Sequence, residues 1–242
     1  MSNVYLVRHG QAGTRDNYDS LSELGNQQAR LLGEHFACQE IRFSSAYVGT
    51  LRRQRQTAEQ IGGAYADAVV YFPGLTIDPG WDEFDLGRVF SEIAPQLCAD
   101  DPEFRTAYEK MRDQVRVSSG LHSASVHRKW LPCDTQIVEA WIRGRYRYSG
   151  ETWERFRERV AACRIKICDS QQRENILVVT SATPIAIWTG LALEICDERL
   201  MRLAGAVYNA SYTVLRLRRE ELRLFTFNAV SHLLTAQLRT HR

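Results

Sequence analysis

The chain has 242 residues, 44% of them apolar, enough for one large α/β domain or two small ones with a substantial core. Its 31 Lys and Arg balance 29 Asp and Glu, so nothing global points to nucleic acid or another polyanion as partner. The six cysteines (Cys38, Cys98, Cys133, Cys163, Cys168 and Cys196) include no Cys-x-x-Cys pair and read as reduced, mostly packed thiols; no apolar stretch is long enough to span a bilayer and no basic leader precedes the first strand, so a cytoplasmic protein without a membrane partner is expected.

Val4 to Val7 is an unbroken apolar run that reads as a buried strand, and Gly10 marks the turn after it. Arg8 and His9 then stand at a strand's C-terminal end, the edge of an open parallel sheet where ligands bind. Arginine offers a planar, permanently charged fork suited to phosphate, and histidine can be a neutral nucleophile near pH 7. Gln11 to Ser20 is polar and turn-rich, after which Ser22 can cap a helix running to Phe36. Ile41 to Ser44 fits a second strand, and a second helix carries Leu51 to Ile61 and stops at Gly62-Gly63. At helical spacing Arg52, Arg53 and Arg55 point in different directions, so one or two of them can face His9.

Ala66 to Phe72 reads as a third strand, ended by Pro73-Gly74. Trp81 to Gly87 alternates carboxylates with bulky apolar groups; such a pattern can set one carboxylate against an apolar wall, raising its pKa for general acid work, although an acidic surface loop is the plainer reading. From Arg88 to about Tyr148 the pattern is helical and irregular, with Pro95, Pro102 and Pro132 as breaks, and suggests an insertion covering one edge of the sheet. Within it Arg143 to Tyr148 interleaves basic and aromatic residues, which could wall a substrate pocket or contact single-stranded nucleic acid. A solvated charged face is the better reading, because the chain has no basic stripe elsewhere.

Ser149 to Thr152 opens a long amphipathic helix through Trp153, Phe156, Val160, Cys163, Ile165 and Ile167. Asn175 to Ser181 is another buried strand, and Ala182-Thr183-Pro184 turns into an apolar helix with Thr183 as cap and Pro184 at the first helical position. A strand feeding a helix N-terminus makes an anion site. Val207 to Leu217 and Leu222 to Asn228 read as two strands of a hairpin. Strands alternating with helices give an α/β three-layer sandwich with a mostly parallel central sheet and a helical cap insertion over about 88–148, in a single domain of residues 1–242.

As a set, Leu6-Val7-Arg8-His9-Gly10, Leu24-Gly25 with Gln28-Ala29, Arg53 with Gln56-Thr57-Ala58, Glu83, Gly150-Glu151, and Asn228 with His232-Leu233 resemble the phosphoglycerate-mutase-like branch of the histidine phosphatase superfamily over nearly the whole length. The resemblance implies that His9 attacks phosphorus and becomes phosphohistidine, that Arg8 and Arg53 clamp the phosphoryl oxygens, and that Glu83 protonates the leaving oxygen and later deprotonates water. A loose phosphoryl transition state needs positioning and charge stabilisation, which two guanidiniums supply with neither metal nor cofactor. Gln11, Ser181 and Thr183 complete the candidate substrate-binding residues.

The family's second histidine, in Ser/Thr-His-Gly after a later strand, is absent, and aligning on Pro184-Ile185 puts Ser181 at its position. Loss of one preorganised donor lowers rate by ~10²–10³, but serine keeps a neutral donor beside a helix N-terminus. A slow, metal-independent phosphomonoesterase acting on a small phosphate ester is therefore expected. The alternative is a degenerate member that binds a phosphorylated ligand or partner without turnover. A phosphoglycerate-type mutase is disfavoured, since nothing suggests a phosphoenzyme guarded from water. His122 and His127 fall in the insertion, His232 reads as structural, and His35 and His241 as surface residues.

Overall fold

The computed structural model describes residues 2–13, 19–121, 132–168, 174–218 and 221–241. They form two compact units, one of residues 1–83 with 159–242 and the other of Phe84–Glu158. His122 and His127 lie outside the described residues. No helix among the described residues is long and apolar enough to cross a membrane.

The first unit is built on a six-stranded sheet. Strands β1 (Ser2–Arg8), β2 (Ser45–Val48), β3 (Leu75–Ile77), β4 (Asn175–Thr180), β5 (Tyr212–Arg218) and β6 (Glu221–Ala229) lie in the order β3-β2-β4-β1-β5-β6. The first four are mutually parallel, and β5 and β6 add as an antiparallel pair. The helices are α1 (Glu23–Cys38), α2 (Arg52–Asp67), α3 (Leu86–Asp100), α4 (Pro102–Leu121), α5 (Pro132–Ile142), α6 (Trp153–Cys168), α7 (Ala182–Leu193) and α8 (Asp197–Ala206).

Central β1 and β4 are buried on both faces, which is why their sequences read as apolar runs without alternation. Val7, Ala46, Val48, Leu177 and Val179 share one face and pack with Phe43 against Leu32 and Phe36 of α1 and Ala58, Ile61 and Tyr65 of α2. Val4, Leu6, Ile176 and Val178 point to the other face by strand alternation. There α7 packs on β1, and its residues from Thr183 to Gly190 are all buried, as expected of a helix apolar on every side. The Trp188 indole N–H donates to Val160 O of α6 at 2.9 Å, tying these two helices together.

Several sequence expectations shift by a few residues, each for a local reason. Ile41 to Ser44 is not a strand, because the Ile41 N–H still serves Phe36 O at the end of α1; β2 begins at Ser45, where pairing with β4 begins. Helix α2 does not stop at Gly62-Gly63, since Ala64 and Tyr65 continue its buried stripe and the Tyr65 hydroxyl donates to Ile41 O at 2.7 Å. Ala66 to Phe72 is therefore the end of α2 and a loop, with Val69 at φ 56° and 93% exposed, and the third strand lies at Leu75–Ile77.

The N-cap of α7 is Ser181, not Thr183, so Pro184 sits at the third helical position, where its missing N–H would be unpaired in any case. Pro95 does not break a helix but lies exposed within α3, Pro102 and Pro132 open helices, and Ile165 projects from α6 into solvent. Val207 to Ser211 precedes β5 as irregular chain, and β5 pairs with β6 as the hairpin expected, although residues 219–220 between them are outside the described set.

In the second unit, helices α3 to α5 and the first turns of α6 surround Trp141, which stacks on Phe84 with ring centroids 4.6 Å apart and meets Trp153 edge-on at 5.6 Å. The Glu92 carboxylate accepts from Arg88 Nε at 2.9 Å and from the Ser149 hydroxyl and N–H. Arg143, Arg145 and Arg147 are exposed, with Arg145 over the Tyr146 ring.

Candidate active site

The site forms where β1 ends, and backbone contacts fix it before any side chain acts. A Cβ at Gly10 would lie 2.3 Å from Gly25 O, and one at Gly25 would lie 2.1 Å from Gln11 O. Only paired glycines allow this loop to press against the start of α1. That helix opens at Ser22, whose side chain accepts the Gly25 N–H as expected. The Gly10 N–H donates to Thr57 Oγ1 at 3.0 Å, and that hydroxyl donates to Arg53 O at 2.8 Å. The N–H groups of Gln11 and Leu21 donate to Gln28 Oε1 and Gln56 Oε1, each at 2.8 Å. Gln28, Gln56 and Thr57 thus hold the loops that carry His9 against both helices.

His9 is 4% exposed. Its backbone N–H donates to Thr180 O at 2.9 Å, and its carbonyl accepts from the Ala210 N–H and the Asn209 amide. The ring tautomer follows from its partners. Arg53 Nε can only donate and points at His9 Nε2 from 3.2 Å, so Nε2 is unprotonated and Nδ1 donates to Gly10 O at 2.8 Å. Burial, then the charges of Arg53 and Arg8, hold the His9 pKa well below the ordinary histidine value. The side chain therefore presents a neutral imidazole with its lone pair on Nε2.

Two buried guanidiniums flank it. Arg53 comes from the first turn of α2, and its Nη1 bonds Asp19 Oδ1 at 2.8 Å. The same carboxylate accepts the Arg52 N–H at 3.0 Å, completing an α2 N-terminus whose cap residue, Leu51, supplies no side-chain bond. Of the three arginines on that helix only Arg53 is buried, while Arg52 and Arg55 are exposed. Arg8 is 7% exposed, and its Nη1 donates to Val207 O.

Glu83 follows a tight 3-10 turn, Pro79–Trp81. Asp78 caps this turn through the Gly80 N–H at 2.9 Å and pairs with Lys166 Nζ at 2.6 Å. Burial would raise the Asp78 carboxyl, but Lys166 and the Gly80 N–H outweigh it and hold the pKa below the usual value. Arg159 Nη1 ties down the carbonyls of Pro79 (2.7 Å), Gly80 (3.1 Å) and Asp82 (3.3 Å). From this clamped segment the half-buried Glu83 reaches α7, where its Oε2 accepts the Thr183 N–H at 3.1 Å. The backbone donor that the sequence reading offered to an anion at Thr183 is thus engaged by Glu83.

Parallel pairing sets Arg8 beside Thr180, so His9 and Ser181 are the next residues of adjacent strands. Ser181 is 1% exposed, and its Oγ accepts from Gln54 Nε2 at 2.9 Å. The same nitrogen donates to Trp81 O at 3.2 Å, which fixes the amide's orientation, because a carbonyl can only accept. Gln54 is fully buried and its Oε1 has no hydrogen-bond partner among the described residues, an omission that typically costs ~1–3 kcal/mol. Gln11 places its Oε1 on the Ser22 hydroxyl at 2.8 Å.

The structure thus brings Arg8, His9, Arg53, Glu83, Ser181 and Thr183 to one sheet edge, with Gln11 tied to the adjoining α1 terminus. Asp19 and Gln54 escaped the sequence reading. Asp19 sits in a polar stretch with nothing to distinguish it, whereas Gln54 could have been found from its place next to Arg53 on the face that Thr57 and Ala58 bury. Of the other histidines, His232 is buried with its ring 5.9 Å from that of His35, and His241 is exposed and stacked on Tyr208. Among the described residues no group of three or more His, Cys, Asp or Glu is placed to hold a metal ion.

A buried neutral histidine near two guanidiniums thus lies at the C-terminal edge of a mostly parallel sheet, in a fold of the histidine phosphatase type. A sequence profile of the histidine phosphatase superfamily (branch 1) matches residues 4–141 and 120–230, and the chain belongs to that superfamily. Its curated relatives include serine/threonine-protein phosphatase Pgam5, mitochondrial, of Caenorhabditis briggsae (39% identical over 162 residues) and of Caenorhabditis elegans (23% over 155 residues). Each match covers 63% of this chain and 53% of the relative, so the chain spans about half the length of the curated relatives it matches.

Solved structures share the fold. Bacillus stearothermophilus YhfR aligns with a TM-score of 0.63 at 17% identity, covering 96% of this chain and 99% of that one. An H9A mutant of Entamoeba histolytica phosphoserine phosphatase in complex with phosphoserine gives 0.61 at 16% identity, covering 97% and 100%. A mycobacterial glucosyl-3-phosphoglycerate phosphatase in complex with inorganic phosphate gives 0.60 at 20% identity, covering 96% and 99%.

Proposed function

We propose that this protein is a metal-independent phosphomonoesterase that acts on a small phosphorylated substrate through a phosphohistidine at His9. The observation that carries this reading is the ring state of His9, a neutral imidazole whose Nε2 lone pair meets a guanidinium N–H. On substrate binding Arg53 Nε exchanges Nε2 for a phosphoryl oxygen, and Arg8 and Arg53 together offset the two charges of a phosphate monoester. Nε2 attacks phosphorus, the P–O bond to the leaving group breaks, and the leaving oxygen takes its proton from the Glu83 carboxyl. Water then attacks the phosphorus, Glu83 takes a proton from it, the P–N bond breaks, and inorganic phosphate leaves a neutral His9. Each step is positioning and charge stabilisation, the main requirement of a loose phosphoryl transition state.

Ser181 takes the place of the family's second histidine and donates a neutral hydrogen bond, which makes the enzyme slow. Gln11 and Thr183 complete the phosphoryl-binding set. The free thiols of Cys38, Cys98, Cys133, Cys163 and Cys196 suit a reducing compartment, and the cytoplasm is the location this reading favours. No nucleic-acid or membrane partner is part of it. The names of the related phosphatases support the reaction class. Hydrolysis of an aryl phosphate by the purified protein in chelator, compared with His9→Ala, tests the proposal. Turnover that persists in chelator and disappears with His9 is expected. No turnover by either protein, with phosphate still raising the wild type's unfolding temperature, would show the binding-only alternative to be correct.

A further inference from the structure

The Gln54 side chain is fully buried in the first turn of α2, yet its Oε1 has no partner among the described residues. A side chain kept polar at such expense calls for a functional explanation. Its nitrogen spends one N–H on Trp81 O and the other on Ser181 Oγ. The Oε1 end fits because position 49 is glycine; a Cβ there would lie 2.0 Å from it.

Ser181 is an N-cap residue that does not cap. The two N–H groups an N-cap oxygen normally takes are those of the second and third helical residues. Here the first is bonded to Glu83 Oε2, and the second does not exist, because the residue is Pro184. Ser181 Oγ therefore accepts from Gln54 alone, and its hydroxyl proton has no acceptor among the described residues. With one of its two lone pairs held by the amide donor and its proton uncommitted, the hydroxyl meets an anionic phosphoryl oxygen, which can only accept, by donating.

From this geometry we propose that Gln54 is a positioning residue that makes Ser181 a dedicated hydrogen-bond donor to the phosphoryl group transferred at His9. The proposal rests on the phosphatase reading above. The pair Gln54–Ser181 does what neither residue does alone: the amide holds the hydroxyl oxygen in place through one lone pair, and the hydroxyl proton is left for the phosphoryl oxygen.

The test is a double-mutant cycle on aryl phosphate hydrolysis. Gln54→Met keeps the shape and removes the donor; a fall in kcat of roughly tenfold to a hundredfold is expected, below the ~10²–10³ of deleting a donor outright, with KM within about twofold of the wild type. In the Ser181→Ala background the same change should give no further fall. Equal losses with and without Ser181, or a rise in KM alone, would overturn the positioning role. Gln54→Glu gives a second reading should Gln54→Met fail to fold. An ionised carboxylate accepts the Ser181 proton and a protonated carboxyl can donate, so activity relative to the wild type should climb as pH falls. A flat ratio would overturn the role. Absence of His9-dependent turnover in the wild type would overturn the phosphatase reading and this role together, whereas wild-type turnover that Gln54→Met leaves intact would remove this role alone.

Discussion

Thr57→Val should damage the protein twice, and both amounts follow from the hydrogen bonds it breaks. Thr57 Oγ1 accepts the Gly10 N–H at 3.0 Å and donates to Arg53 O at 2.8 Å, with the residue fully buried. Valine matches threonine in shape, so packing is nearly unchanged and the loss is electrostatic. The Gly10 N–H is left buried without its acceptor, which costs about 1–3 kcal/mol, whereas the Arg53 carbonyl merely loses an added donor within a helix. The Gly10 carbonyl also receives the Nδ1 proton that holds the His9 tautomer. A loop that shifts to find another acceptor misplaces His9, the proposed nucleophile, and a displacement of about 1 Å can lower kcat ~10²-fold. Urea unfolding should show the stability loss with an unchanged slope, and Thr57→Ser should restore both stability and kcat. A Thr57→Val protein within about 0.5 kcal/mol of the wild type, with kcat intact, would refute the claim that this hydroxyl holds the His9 loop.

Other outcomes follow from neighbouring contacts. Arg53→Lys retains the charge but loses the planar fork that meets His9 Nε2 and Asp19 together; steady-state kinetics should show kcat/KM lower by ~10²–10³, and a loss under tenfold would contradict a clamping role. His232 is held by burial, and then by His35, at about 4 against an ordinary 6.5. Its neutral form therefore stabilises the fold fully above pH 6.5, and that stability is lost as pH falls toward 4, amounting to about 3 kcal/mol. His232→Phe should flatten this part of the stability profile by that amount relative to the wild type in denaturant titrations at several pH values, and an unchanged slope would contradict it.

The parts of this fold most legible in the sequence were those where one physical demand dominates. Strands β1 and β4 are buried on both faces, so Val4 to Val7 and Ile176 to Val179 read as strands without help from context. Helix α1 carries its own start signal in Ser22. Where two demands compete, the sequence misleads. Gly62-Gly63 has the composition of a helix stop, but Ile61, Ala64 and Tyr65 bury one continuous stripe and carry α2 past it. Val69 and Tyr71 have the residue types of a strand and lie exposed in a loop. At α7 the expected cap was displaced by two residues, because Ser181 takes the extended cap conformation while its hydroxyl serves Gln54.

The site shows the same division. Arg8 and His9 stand out because charged and titratable groups at a strand end are conspicuous, whereas Arg53 and Glu83 are marked out by the family resemblance; pattern alone leaves Arg53 among three arginines and Glu83 in an acidic loop. Their supports do not stand out. Asp19 acts on Arg53 from 34 positions away and Gln54 on Ser181 from 127, and no local pattern encodes a contact made only by the closed fold.

The most direct measurement is to trap the intermediate. Wild-type protein mixed with an aryl phosphate, a substrate with a good leaving group, should accumulate phosphoenzyme, which is then quenched in base and mapped by mass spectrometry. One phosphoryl group per chain, carried on His9, stable in base, lost in acid and absent from His9→Ala, is the expected result. Steady hydrolysis with no trapped phosphoenzyme, or a phosphoryl group that survives in His9→Ala, would contradict the assignment of His9 as nucleophile.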